Sequence, residues 1–195
     1  LQDRVSGIYF LTAKDIPGGE KLLTYIPQNQ EVLVALHQEF MCDIVQDYLN
    51  TGEGMTCWQA VYTKREKLPI TGLYSMDENA ESGLPKIARL TEEAIQAVCA
   101  NYAKGDDIEY IRDRIQKGCM FGAFADGELA GFIGIHQEGA IGMLEVLPQY
   151  RGRGIAKALE TYVINLSLEA GHIPYGQVVK ENEASKKLQE CLGLY

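Results

Sequence analysis

The residues with the clearest chemical potential lie between Gln149 and Ala156, where two arginines alternate with two glycines. A strand-like apolar run ends at Pro148, and a helix-like pattern begins after Gly154. The start of a helix carries unpaired backbone N–H groups and about half a unit of positive charge, so it favours phosphate. Glycines such as Gly152 let a ligand approach the backbone closely, and arginines add positive charge. The turn is therefore predicted to bind a phosphate group, with a basic surface turn as the simpler alternative.

The charge balance restricts the partners. The formal net charge is −9, which disfavours a nucleic-acid partner, because contacts to nucleic-acid phosphates need clustered Lys and Arg. The dense basic clusters are Arg151 with Arg153 and Lys186 with Lys187. Both favour a small anionic ligand. The acidic surround would also attract a cationic amine, although solubility alone explains the acidity equally well.

The cysteines and the apolar runs indicate a compartment. The five cysteines are scattered, with no CxxC pair and no cluster among the three histidines. This pattern favours a reducing compartment and argues against a metal site. Since no apolar run reaches the roughly 18 residues needed to span a bilayer, and the first residues lack the layout of a signal peptide, we expect a soluble cytoplasmic protein without a membrane partner.

The pattern downstream of residue 86 positions the glycine turn between a strand and a helix. Asp126-Gly127 between two apolar runs predicts a hairpin. Thr91 and Asp107 resemble helix N-caps. The predicted order is a strand over 86–90, helices over about 92–104 and 107–118, hairpin strands over 120–124 and 129–135, a strand over 141–147, a helix over 153–170, a strand over 175–179 and a helix over 182–192.

Upstream, the pattern predicts a smaller α+β domain over residues 1–76. Its elements are a strand over 8–11, one long amphipathic helix over about 27–50 that ends at Thr51-Gly52, and strands over 55–63 and 70–74. The segment 77–85 is polar, contains Gly and Pro, and lacks an apolar period. It is predicted to be a linker.

Residues Lys86 to Tyr195 resemble the GNAT superfamily of acetyl-CoA-dependent N-acetyltransferases. The order of elements agrees, and two motifs stand at the right separation. The phosphate-loop signature Q-x-x-G-x-G/A is met by Gln149, Gly152 and Gly154, and a second signature on the last helix is met by Asn182, Ser185, Leu188 and Leu192-Gly193. The resemblance implies a GNAT fold, α+β or α/β in class, with a mixed, splayed central sheet flanked by helices.

The resemblance also implies that acetyl-CoA is the co-substrate. Amides of the glycine turn would hold its pyrophosphate, and its pantetheine arm would enter where strands 145–147 and 175–179 splay apart. On the residues alone, Asn182 is equally well a helix N-cap and Ser185 a small packing residue. The implied CoA-binding residues are Val146, Leu147, Arg151, Gly152, Arg153, Gly154, Ile155, Ala156, Asn182, Ser185 and Lys186.

Acyl transfer from a thioester to an amine needs a base, since free alkylamines are largely protonated at neutral pH. Glu145 is the first candidate because it lies on the strand beside the expected splay. Strict alternation places it opposite Leu144 and Val146, but a bulge typical of the family would reverse its facing. Glu138 and His136, just before this strand, are the alternatives, and a backbone N–H near Val146 would stabilise the oxyanion.

The sequence departs from the family at several positions. Ala140 and Gly142 stand where several relatives carry a catalytic His or Glu. Gln189 replaces the tyrosine that often acts as general acid, which leaves Tyr175 and Cys191 as weak candidates or an unassisted thiolate departure. The closing hairpin that normally follows the last helix is absent from this sequence, which also begins without Met, so we expect missing termini or a closing strand from the first domain.

The N-terminal domain weakly resembles the degenerate first half of glycine-N-acyltransferase-like proteins. That resemblance implies a partner domain forming a wall of the acceptor pocket. An independent cap or a dimerisation element, which would make the protein a homodimer, is the alternative. We predict an acetyl-CoA-dependent N-acetyltransferase for a small-molecule amine or amino-acid-like acceptor, acting by direct attack in a ternary complex. The rival hypothesis is a non-catalytic acyl-CoA-binding sensor or scaffold.

Overall fold

A computed structural model describes residues 2–4, 6–49, 54–70, 72–75, 83–102 and 107–195. The chain divides into two compact units, Leu1–Thr56 and Cys57–Tyr195. The first unit contains β1 (Tyr9–Leu11), α1 (Ile16–Leu23), β2 (Val34–Leu36) and α2 (Met41–Leu49). Its two strands pair in parallel, with Tyr9 opposite Val34, and its core is built from the buried residues Tyr9, Leu11, Leu23, Ile26, Met41 and Val45.

The long helix predicted over 27–50 is wrong. Its first half contains β2, which pairs with β1, and only Met41–Leu49 is helical. Apolar residues at 33 and 36 fit a helical period, but the tertiary pairing with β1 decides the conformation. The predicted stop at Thr51-Gly52 lies outside the described residues. The pattern did not indicate α1, whose N-cap is Asp15. The Asp15 side chain accepts a hydrogen bond from the Gly18 N–H at 2.9 Å.

The second unit is a six-stranded mixed sheet flanked by helices. Its strands are β3 (Cys57–Val61), β4 (Lys86–Arg89), β5 (Met120–Ala125), β6 (Glu128–Ile135), β7 (Ile141–Val146) and β8 (Tyr175–Val179), in the spatial order β3-β8-β7-β6-β5-β4. Every neighbouring pair is antiparallel except β7 and β8, which are parallel. The fold class predicted for this part of the chain is confirmed.

The helices cover the two faces of this sheet. They are α3 (Ile95–Asn101), α4 (Ile108–Gln116), α5 (Ile155–Glu169) and α6 (Glu183–Leu192). On one face Leu159 and Val163 of α5 pack with Leu192 of α6, and on the other face α3 and α4 cover Phe132 and Met143. We call the second of these the α3–α4 face.

β3 corrects the predicted organisation of the chain. From the sequence we assigned the strand over 55–63 to the N-terminal domain, but Cys57–Val61 pairs antiparallel with β8 in the sheet of the second unit. It supplies the strand beside β8 that the family pattern lacked. The strand predicted over 70–74 does not form among the described residues of that segment, since Ser75 makes only an isolated bridge to Lys86. Residues 77–82 of the predicted linker lie outside the described part of the chain.

None of the described helices combines the length and the hydropathy that a membrane-crossing segment needs.

Candidate functional site

The centre of the site is the point where β7 and β8 separate. Within the described chain, the two parallel strands pair only at Ile141 and Gly176, and they diverge beyond that position. A bulge follows at once on β7, where Met143 takes a φ of +52° and the register against β6 shifts. A bulge redirects the following side chains and widens a gap between strands.

The bulge sets the facing of Glu145. Ile141 lies opposite Ile135, whereas Glu145 lies opposite Phe132, three residues away on β6. Successive residues of a strand face opposite sides, so Ile141 and Glu145 are on different faces although strict alternation along β7 would place them together. Glu145 shares the α3–α4 face with Phe132. The bulge is present, and it reverses the facing of Glu145 relative to Ile141, but Glu145 still lies opposite Leu144 and Val146, which pack against the cluster that contains Leu159.

Two glycines in left-handed conformations shape the start of α5. Gly152 has φ +76° and Gly154 has φ +80°, values that side-chain-bearing residues adopt only at a cost. Gly154 is the N-cap of α5, and no side chain of the described residues caps this helix. Among the described residues, no side chain thus occupies the first backbone N–H groups of α5, an arrangement compatible with the predicted phosphate site.

A cavity of about 350 Å³ joins the end of β7 to the starts of α5 and α6. It contains most of the residues predicted to bind CoA. The lining residues are Leu144, Glu145, Val146, Tyr150, Arg151, Gly152, Gly154, Ile155, Ala156, Asn182, Ala184, Ser185 and Leu188. The combination of an uncapped helix start, positive-φ glycines and a lining of polar and apolar residues is compatible with a ligand that carries a phosphate group and a less polar part.

Arg151 ties the turn to the strand. Its Nε donates to the Val146 carbonyl oxygen at 3.0 Å, and its guanidinium lies 3.1 Å from the Glu145 carboxylate. The Arg151 side chain is 61% exposed and that of Glu145 29% exposed, and both residues line the cavity. Part of the guanidinium's bonding capacity is thus used to hold Glu145 at the end of β7.

Three predicted CoA-binding residues do not line the cavity. Leu147 donates its backbone N–H to the Ala130 carbonyl oxygen at 3.0 Å, so that amide belongs to the sheet. The Arg153 guanidinium lies over the Tyr150 ring, 5.5 Å from its centroid. Lys186 is partly exposed on α6 and is not among the lining residues, although Ser185 and Leu188 are.

Asn182 is the side-chain cap of α6. Its Oδ1 accepts the Ser185 N–H at 3.0 Å, and both residues line the cavity. Asn182 is therefore the N-cap of α6, as its residue type indicated. It also lines the cavity, where the resemblance to the GNAT family placed it.

The alternative bases lie at the corner between β6 and β7. His136 Nδ1 lies 2.7 Å from the Tyr110 hydroxyl, and the two rings are stacked with centroids 6.0 Å apart. Glu138 is half-buried, and its backbone carbonyl accepts a 2.7 Å hydrogen bond from the Tyr175 hydroxyl. That contact orients Tyr175 toward the corner. Cys191 is exposed.

The position of Gly142 explains why it lacks a side chain. A Cβ at Gly142 would stand 2.6 Å from His136 Nε2 and 2.8 Å from its Cδ2. A side chain at residue 142 would therefore require the imidazole to move. His136 therefore occupies the space into which residue 142 would project.

Sequence reasoning missed a buried polar pair behind the cavity. Gln189, at the position of the absent tyrosine, is buried and donates a hydrogen bond to Glu160 of α5, which is 2% exposed. Burial raises the pKa of Glu160 to about 7, partly opposed by this hydrogen bond. Nothing in the sequence indicated that Glu160 is buried, because its neighbours on α5 follow an ordinary helical pattern.

Solved structures show the same fold. A Drosophila protein from a structural genomics consortium matches with a TM-score of 0.66 and 20% identity, covering 88% of this chain and 59% of its own. A GNAT-family acetyltransferase from Colwellia psychrerythraea matches with a TM-score of 0.57 and 18% identity, covering 90% of this chain and 68% of its own. A GCN5-related N-acetyltransferase from Sphaerobacter thermophilus matches with a TM-score of 0.56 and 15% identity, covering 90% of this chain and 60% of its own. The chain thus spans less than two thirds of the Drosophila protein.

No curated protein matches the chain in sequence. The model of the acetyltransferase (GNAT) family, however, matches residues 86–194, which is more than half of the chain and contains the whole cavity. The match begins at β4 and extends through α6. The chain therefore belongs to the GNAT family of acetyltransferases.

Proposed function

We propose that the protein transfers an acetyl group from acetyl-CoA to the primary amine of a small-molecule or amino-acid-like acceptor, by direct attack within a ternary complex. The observation that carries the proposal is the cavity itself, in which the uncapped start of α5 meets the divergence of β7 from β8. A phosphate site and a gap between strands then lie along one continuous surface.

The donor is held mainly by backbone groups in this proposal. The amides that follow Gly152 and Gly154 bind the pyrophosphate, with charge added by Arg151. Val146 and the rest of the end of β7 lie along the pantetheine arm. Asn182 and Ser185 form the opposite wall. Bound acetyl-CoA supplies the activated acyl group.

Glu145 is the proposed base. It lines the cavity, it faces the α3–α4 side because of the bulge, and Arg151 fixes its position at the end of β7. The amine nitrogen forms a bond to the acyl carbon while the C–S bond breaks, and the sulfur leaves with the electron pair. The proton lost by nitrogen passes to the Glu145 carboxylate. Glu138 is the alternative acceptor of that proton.

The decisive experiment supplies acetyl-CoA with a panel of amines, and measures free thiol release together with the mass of the acetylated product. Glu145→Gln is expected to lower kcat by about 10²–10⁴-fold, because a positioned base contributes that much, while the Kd for CoA stays unchanged. Glu190→Gln, an exposed residue of α6, is the matched control.

Two outcomes contradict parts of the proposal. An unchanged rate in Glu145→Gln, with a loss in Glu138→Gln, transfers the role of base to Glu138. Tight CoA binding without product from any amine favours the rival function, an acyl-CoA-binding sensor. The burial of Gln189 against Glu160, in place of a tyrosine acid, is the observation that keeps this rival in the test.

A further inference from the structure

Glu160 of α5 and Gln189 of α6 lie one helical turn beyond the cavity. Ala156, which lines the cavity, precedes Glu160 by four residues, and Ser185, which also lines it, precedes Gln189 by four residues. Four residues are about one turn of an α-helix, so each polar side chain is on the same side of its helix as a lining residue. Both side chains are buried. The pair therefore joins the two helices behind the wall of the cavity.

One hydrogen bond of this pair is present. Gln189 Nε2 donates to Glu160 Oε1, which leaves Glu160 Oε2 and Gln189 Oε1 buried and without a partner among the described residues. Both of these oxygens are acceptors as long as the carboxyl group is ionised, so they cannot bond to one another. A proton on Glu160 Oε2 makes it a donor, and a single proton then satisfies both atoms.

The surroundings of Glu160 favour the neutral acid. α5 packs on apolar side chains of the sheet, among them Phe121 and Ile133. Burial raises the pKa of Glu160 to about 7, opposed by the hydrogen bond from Gln189, and neither of these two causes is a charged group. Thr161 Oγ1 is also buried and has no partner in the described chain, but this side chain leaves α5 about 100° away from that of Glu160. A buried carboxyl group without a cation is disfavoured in its ionised form.

The other ionisable groups on the elements that pack with α5 are bonded elsewhere or exposed. Glu128 of β6 accepts a hydrogen bond from the Tyr150 hydroxyl at 2.8 Å. Glu145 of β7 pairs with Arg151, and the Tyr62 hydroxyl, in the same core, donates to a backbone carbonyl oxygen at 2.8 Å. None of the ion pairs within the described residues includes the buried carboxyl group. The remaining ionisable side chains of α5 and α6 are partly or fully exposed: Lys157, Tyr162, Glu169, Glu183, Lys186, Lys187, Glu190 and Cys191.

We propose that Glu160 is a neutral carboxylic acid in the CoA-binding form of the protein, that its O–H donates to Gln189 Oε1, and that loss of this proton to solvent separates α5 from α6 and weakens CoA binding. The carboxyl and the amide then exchange two hydrogen bonds in opposite directions. Ionisation removes one of these bonds and leaves a charge in an apolar core, which water can solvate only by entering between the helices. Both helices contribute lining residues, so this entry disrupts the cavity. The effect on CoA rests on the proposed function, whereas the protonation does not.

The direction of the pH effect follows from the raised pKa. The ordinary pKa of the Glu160 carboxyl group is 4.5, and burial raises it to about 7. The paired arrangement therefore binds the proton more tightly than a solvated one. It is most favoured below pH 4.5 and loses that advantage as the pH rises through 7. CoA affinity should accordingly be higher on the acidic side.

The protonation can be measured without any ligand. At pH 6 exposed Asp and Glu side chains are ionised, so the infrared C=O band of a protonated carboxyl group reports a buried acid. We expect this band in the wild-type protein and in Glu190→Gln, the exposed control on α6, but not in Glu160→Gln. Hydrogen exchange of the α6 amides, corrected for the intrinsic rate, should be faster at pH 8.5 than at pH 6 in the wild-type protein. Glu160→Gln, whose amide can keep both hydrogen bonds at every pH, should show no such change.

CoA titration tests the coupling to the cavity. The ratio of the wild-type Kd to the Glu160→Gln Kd cancels the titration of the CoA phosphates. Between pH 5.5 and 8.5 we expect this ratio to rise by more than about threefold, with about 30-fold as the limit set by the two pKa values. Glu190→Gln should behave as the wild-type protein. The double variant Glu160→Gln with Gln189→Glu moves the acid to the other helix and should restore the pH dependence.

Each outcome decides the inference. Absence of the carboxyl band from the wild-type protein at pH 6 overturns it, with or without CoA binding. A band together with a Kd ratio that stays within threefold also overturns it, because the pair then does not control the cavity.

If CoA binds at no pH, the proposed function fails, and hydrogen exchange alone decides. Protection of the α6 amides that falls with pH in the wild-type protein but not in Glu160→Gln supports the inference, and equal protection at both pH values overturns it. Should Glu160→Gln fail to fold, Glu160→Met, which is also uncharged at every pH, replaces it as the reference.

Discussion

α5 and α6 both begin at the cavity, but they begin differently. α5 follows Gly154, which is in a left-handed conformation, and no side chain of the described residues caps it. α6 follows Asn182, whose side chain accepts the Ser185 N–H. One helix leaves its first amides to a ligand, whereas the other satisfies an amide with its own side chain. The comparison supports our proposal that the anion binds at the start of α5 and that α6 forms a wall of the cavity.

The largest expected effect comes from the buried pair that joins these helices, Glu160 of α5 and Gln189 of α6. Burial raises the Glu160 pKa from 4.5 to about 7. The folded state therefore binds the proton more tightly, and the free energy of unfolding should fall by about 3 kcal/mol as pH rises from the ordinary to the raised value. Glu160→Gln should remove most of this decline. Urea denaturation between pH 4 and 8 measures it.

Glu190→Gln, at an exposed position of α6, is the control for Glu160→Gln and should keep the wild-type pH dependence. If the free energy of unfolding of Glu160→Gln falls with pH as much as that of the wild-type protein, ionisation of Glu160 does not weaken the contact between the helices.

The second effect tests the uncapped helix directly. Gly154→Val places a β-branched residue at φ +80°, so the start of α5 must change its conformation. We expect the Kd for CoA to rise about 100-fold, because several amide contacts depend on this geometry. Isothermal titration calorimetry measures the change.

Gly171→Val is a matched control, because Gly171 follows the opposite end of α5 with φ +77°. It should lose comparable stability and keep its CoA affinity within about threefold, since helix-terminus effects act within one turn. Equal losses of affinity in the two variants would mean that the effect is one of general stability and not of the anion site.

The smallest effect is expected at the capped helix. Asn182→Ala removes the bond to the Ser185 N–H and should cost about 1 kcal/mol of stability. The CoA affinity should change only a few-fold. Asp15→Ala is the comparison, because it also removes a side-chain cap, that of α1 in the other unit. A fall in affinity as large as that of Gly154→Val would show that both helix starts bind the ligand.

The parts of the site that sequence predicted are local. The glycine turn, the start of α5 and the Asn182 cap each depend on a few consecutive residues whose backbone preferences are strong. The hairpin at Asp126-Gly127 is confirmed for the same reason, with φ values of +53° and +83°. The bulge before Glu145, in contrast, was implied by the resemblance to the family and not by the local residues.

The parts that sequence could not supply depend on distant partners. The residues of β2 carry a helical period, and only pairing with β1 makes them a strand. The imidazole over Gly142 and its contact with Tyr110 combine two strands and a helix. Glu160 and Gln189 are polar but buried. An analysis of hydrophobic periodicity assigns polar residues to the exposed side of a helix, so it could not predict this burial.

The strand β3 has a consequence for how the molecule is made. Cys57 pairs with Val179, more than a hundred positions later, so β3 leaves the ribosome long before its partner exists. During that interval the backbone N–H and C=O groups of β3 need other hydrogen-bond partners, such as water or a chaperone. A fragment starting at Lys86, where the family match begins, loses this strand and leaves the outer edge of β8 open to pairing with other chains. A fragment that is to keep this edge of β8 paired must therefore include Cys57–Val61.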